Sequence, residues 1–151
     1  MPSQRELVIQ GLLTKLATIA PAVGSSVTVK TVERGLRLFN QVAADERPYL
    51  GVYVGIGRNT LTSSRLTRMA LTVRIVGYLE LAADLSLDVR AAAADAFLAD
   101  VKRVLLADIT LGGAATSVST VTEGTDEGAE SPGGFIELEL EVIYFHSFTE
   151  I

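Results

Sequence analysis

The chain has no cysteine, no tryptophan and a single histidine among its 151 residues. Without cysteine there are no disulfides, no thiolate nucleophile and no thiolate-bound zinc, and a reducing cytoplasm fits best. A Ser-His-Asp triad would have to run through His146, close to the last residues, and no G-x-S-x-G elbow accompanies it. His146 therefore reads as a strand-end packing or surface residue, and metal sites of histidine or cysteine type are excluded by count. The five Phe and four Tyr are dispersed, with no basic-aromatic repeat that would build a base-stacking platform. Long apolar runs are missing too: the longest uncharged stretches, 16–29 and 109–122, are broken by proline or glycine and fall short of the ~20 residues that span a bilayer. Glu6 and Lys15 interrupt the apolar N-terminal stretch, so the order of a signal peptide is lacking. The expectation is a protein made in the cytoplasm, not exported, with no membrane partner.

What is present is an apolar fraction of 48% and charged residues at 21%, far from a disordered composition. At this length one domain buries roughly 68–70% of the surface its unfolded chain exposes. The net charge of −5 opposes nucleic-acid binding in general. Its distribution is uneven: residues 1–74 hold ten of the thirteen Lys/Arg and four acids, whereas residues 75–151 hold three bases and fourteen acids. A small domain with oppositely charged halves either pairs them across its own sheet or offers them to neighbouring copies.

Ser3 and Glu6 form a capping-box pattern ahead of Ile9, Leu12, Leu13, Leu16 and Ile19, which predicts a helix over 4–19 ending before Pro21. Val27, Val29 and Thr31 suggest a short strand; residues 33–42 read equally as a helical turn or a loop. Pro48 opens a strand over 49–55. After the polar stretch 57–64, alternation of Met69, Leu71, Val73, Ile75, Gly77 and Leu79 marks a long strand with one buried face. Ser86 caps a second helix, on which Leu87, Ala91, Ala94, Leu98, Val101 and Leu105 hold helical spacing, with Asp84 and Asp88 at its start and Lys102 and Arg103 near its end. A moderate strand over 116–122 follows, then the acidic, glycine-rich loop 123–134, then a strand over 135–147 that alternates Ile136, Leu138, Leu140, Val142 and Tyr144 with Glu137, Glu139 and Glu141. The layout is α+β: one domain over 1–151, a single antiparallel-rich β-sheet with two main α-helices packed on one face, and mobile loops near 57–64 and 123–134.

Carboxylates spaced ~7 Å along one strand face could share a proton or a cation. The plainer reading of Glu137, Glu139 and Glu141 is a cross-strand charge lattice with Arg68 and Arg74. The acidic loop lacks the ligand spacing of a calcium loop. Gly55-Ile56-Gly57 begins like a dinucleotide fingerprint, but Thr60 stands at the last glycine position and no helix follows. No catalytic, cofactor or metal residue emerges, and the expectation is a non-enzymatic protein without cofactors. Arg58 and Arg65 in one loop, and Glu123, Asp126, Glu127 and Glu130 in the other, remain as candidate contacts between subunits or with a partner. Arg58, Arg65 and Arg68 could instead touch phosphate.

The order of elements, with the hairpin R-P-Y-L-G-V-Y-V-G (47–55) and L-T-R-M-A-L-T-V-R-I-V-G-Y (66–78) at its centre, resembles the tail terminator proteins of tailed bacteriophages, also called tail completion or tail-to-head joining proteins. The likeness covers nearly the whole chain and lies in layout, since that family has no catalytic motif. It implies a virion protein that forms a ring, usually hexameric, on the head-proximal end of the tail tube. Such a ring ends tube polymerisation, can act on the sheath, and offers the surface to which the head and its neck connectors attach, with DNA passing through the channel and read by no sequence-specific contact. Oppositely charged surfaces on one subunit suit a head-to-tail contact of that kind. Two alternatives stay open: another phage neck or tail connector, and a small-molecule-binding α+β oligomer, which ligand-dependent thermal stabilisation would reveal.

Overall fold

The computed structural model describes residues 2–63, 65–82, 84–126 and 133–147. Helix α1 (Gln4–Leu16) starts at Ser3, whose side chain accepts the Glu6 N–H at 3.1 Å. It stops short of the predicted residue 19 because its last N–H groups tighten, Thr18 and Ile19 bonding to the carbonyls of Lys15 and Leu16 on the approach to Pro21. Strand β1 (Thr31–Arg34) begins where the sequence suggested a strand would end. Val29 donates instead to Ile19 O, which ties 27–29 to the exit of α1.

Strands β2 (Tyr49–Leu61) and β3 (Leu66–Glu80), helix α2 (Leu87–Leu106), and strands β4 (Ser117–Thr125) and β5 (Gly133–Ser147) complete the chain. The five strands form one sheet in the order β1-β2-β3-β5-β4. Every pairing is antiparallel except β1 with β2, so the sheet is mixed. The parallel pair needs a crossover, and the chain supplies it over 35–48 with two short 3₁₀ turns and no helix.

The two sheet faces have different fates. Val8, Leu12 and Leu16 of α1, with Phe97, Leu98, Val101 and Leu105 of α2, bury one face through Leu50, Val52, Leu71, Val73, Ile75, Leu138, Leu140 and Val142. Gly77 makes room there: a Cβ at this position would lie 2.7 Å from Ile136 and 2.9 Å from both Leu50 and Phe97. On the opposite face the crossover forms a strap, placing Phe39 and Val42 against Tyr49, Val76, Tyr78 and Phe135. That strap covers only the end of the sheet where β3 finishes.

The segment 57–64, expected as a loop, is mostly strand: β2 continues to Leu61, and Thr62 and Ser63 close the turn by donating to Leu66 O. The reason is a bulge. Val54 pairs with Val73 but Gly57 pairs with Leu71, so one extra residue in β2 switches which side chains face inward and hides the alternation. A second shift between Thr120 and Thr122 does the same in β4, which runs on to Thr125 and takes in Glu123. Of the acidic loop, Glu127 and Glu130 lie outside the described residues.

Candidate interaction surface

Beyond the strap, no described helix or turn covers the outer sheet face. Arg68, Ala70, Thr72 and Arg74 of β3 stand on it beside Glu139, Glu141, Ile143 and Phe145 of β5. The register sets which charges meet. Arg74 faces Glu139 and reaches diagonally to Glu137, its Nε donating to Oε1 at 2.6 Å. Thr72 faces Glu141, and Arg68 faces Phe145. Arg68 and Glu141 therefore stand four residues apart along the ladder, about 13 Å, and no ion pair joins them. The expected lattice shares one face as proposed, but one ion pair forms from it.

Arg58 stands beside this surface, paired in register with Ala70 on the distal arm of the β2–β3 hairpin, and Arg65 occupies its turn. Ile56, Arg58, Arg68, Ala70, Thr72 and Glu141 line a groove of about 390 Å³. Among the described residues, Arg58, Arg65 and Arg68 make no side-chain ion pair or hydrogen bond.

Of the acids assigned to the other loop, Glu123 and Asp126 are engaged within the chain. Glu123 accepts from Lys102 Nζ of α2 at 2.9 Å. Asp126 continues the β4–β5 ladder, its N–H donating to Phe135 O at 3.2 Å and its Oδ1 accepting the Phe135 N–H at 3.0 Å. Both residues fasten β4, which changes where an acidic contact surface has to be sought.

Sequence reasoning missed the groups that hold the strap. Arg47, only 6% exposed, donates to Glu80 Oε2 at 2.6 Å and to the carbonyls of Phe39 and Val42 at 3.0 and 2.8 Å, and lies 3.9 Å from the Phe39 ring centroid. Arg37 bridges Glu33 and Glu46, each at 2.6 Å, and Tyr49 donates to the same Glu33 oxygen at 2.6 Å. Burial alone would raise the Glu33 carboxyl, yet Arg37 and Tyr49 hold it below its ordinary range. Burial, then the hydrogen bond to the Glu33 carboxylate, push the Tyr49 hydroxyl up to about 12. The available signal was a concentration of opposite charges (Glu33, Arg34, Arg37, Asp45, Glu46, Arg47) in a segment with no regular period.

Elsewhere, the half-buried His146 lies with its ring 6.2 Å from that of Tyr144. Among the described residues, no three histidine or acidic side chains come together in the manner of a metal site. Among the described residues no helix is long and apolar enough to cross a membrane. No protein-family model matches the chain, and no curated protein has a similar sequence.

Proposed function

We propose that this protein is a tail terminator, a subunit of a ring that caps the head-proximal end of a phage tail tube, ends its polymerisation and presents the attachment surface for the head. The observation that carries this reading is the exposed hairpin arm, whose three arginines have no ion-pair partner among the described residues. A surface of that kind suits a protein that acts through interfaces. The element order, to which the family likeness attaches, supports the same assignment. In this reading the tube protein, the sheath where present and the neck connectors are the partners, the tail or neck of the virion is the location, and the work is done without chemistry or a cofactor.

Deleting the gene tests the proposal. The expected result is tails of uncontrolled length, or tails that fail to join heads, with recovery when the protein is supplied in trans. Tails of normal length joined to heads in the deletion strain would overturn it.

A further inference from the structure

Five cationic side chains have no acidic partner among the described residues: Arg5, Lys30, Arg58, Arg65 and Arg68. Three of these share the hairpin arm. Ile56, 89% exposed, stands with Arg58 and Arg68, whereas Leu61, paired in register with the inward-facing Thr67, projects from the other face of the arm; among the described residues the β2 edge has no strand beside it once β1 ends opposite Val52. This end of the molecule is therefore cationic, partly apolar and open at its edge.

The segment that leads into α2 has the opposite character. Among the described residues the side chains of Asp84 and Asp88 make no ion pair or hydrogen bond, and Leu85, Leu87 and Val89 project beside them, Leu87 being 72% exposed. β3 separates the two surfaces along its whole length, from Leu66 at the arm to Glu80 just before this segment. Its 15 residues make that separation about 45 Å at the rise of an extended strand. No side chain crosses such a distance, so the two surfaces cannot satisfy each other within one subunit.

From this we infer that the hairpin arm of one copy docks on the 84–89 segment of the next, with Arg58, Arg65 and Arg68 facing Asp84 and Asp88, and Ile56 against Leu85, Leu87 and Val89. The contact uses different patches on its two sides, so it propagates head to tail and closes when the rotation per copy divides a full turn. The inference rests on the ring reading for that closure. Arginine–carboxylate pairing fixes orientation, while the apolar residues supply area removed from water. It also moves the acidic side of the subunit contact away from Glu123 and Asp126, which are already engaged within their own subunit.

Charge exchange tests the contact. One variant carries Arg58→Glu and Arg65→Glu, the other Asp84→Lys and Asp88→Lys, and assembly is followed by sedimentation velocity at low salt. The expected result is that the wild-type protein self-associates, each variant alone associates at least tenfold more weakly, and an equimolar mixture of the two regains wild-type association. Circular dichroism checks that both remain folded. Should lysine at the start of α2 unravel the helix, Asp84→Asn with Asp88→Asn weakens association without that burden. Variants that assemble like the wild type, a mixture no better than its components, or a wild-type protein monomeric at every concentration would each overturn the contact. The ring reading is judged separately, by tail length in the deletion strain.

Discussion

Arg47 shows how one side chain fixes the path of an irregular segment. Its guanidinium occupies the space between the strap and the sheet and donates to the buried Val42 carbonyl and to the Phe39 carbonyl, which also accepts the Val42 N–H. Replacing it with methionine keeps much of the volume and removes those donors, which we expect to cost about 2–3 kcal/mol in urea denaturation; a loss below about 0.5 kcal/mol would contradict the assignment. Gly77 works by absence. Gly77→Ala should cost about 1–3 kcal/mol through overpacking against Ile136, Leu50 and Phe97. Asp108 gives a pH signature, because Thr110, the Gly112 N–H and Lys15 hold its carboxyl down at about 2, against an ordinary 3.8. A depressed carboxyl stabilises the fold above its unfolded value and loses that contribution as it protonates. Wild-type protein should therefore exceed Asp108→Asn in stability above about pH 4, with the gap closing as pH falls toward about 2, as thermal melts across that range would record. A gap that stays constant would place the cause elsewhere.

Among the elements, those with one face buried from end to end were legible from sequence. β3, β5 and α2 appear at or near their predicted bounds, since each keeps a single period against a single core. Ser86 begins α2 as expected, its side chain accepting the Val89 N–H at 3.3 Å. Ser86→Ala should lower stability by about 0.5–2 kcal/mol, measurable in the same urea titration. Where the reading failed, a second packing demand had broken the period. The bulge after Val54 reverses the inward set in β2, and the shift after Thr120 leaves Val121 as an extra, exposed residue in β4 while Val118 is buried. The strap was illegible because its apolar residues serve the opposite face of the sheet, singly and at irregular spacing. Of the candidate surface, the three arginines of the arm were visible as residues, and the register that leaves Arg68 facing Phe145 was not.

For the molecule as a whole, the charge split of the sequence resolves into two parts. Some of it is used internally, at Arg74–Glu137, Lys102–Glu123 and around Arg37 and Arg47. Part of the remainder sits at opposite ends of the sheet, positive on the arm and negative at the start of α2. Exposed charges of this kind are screened with a Debye length near 10 Å at 0.1 M salt and 3 Å at 1 M. Self-association should therefore weaken steadily as salt is raised over that range, and association indifferent to salt would assign the contact to its apolar residues alone. The assignment to the end of a tail tube has a more direct test, which is to see where the protein binds. Gold-labelled protein added to headless tails lacking it should mark one end of each tube in electron micrographs, the end to which heads then attach. Label at the opposite tip, along the tube wall, or nowhere on the tube would contradict the proposed function.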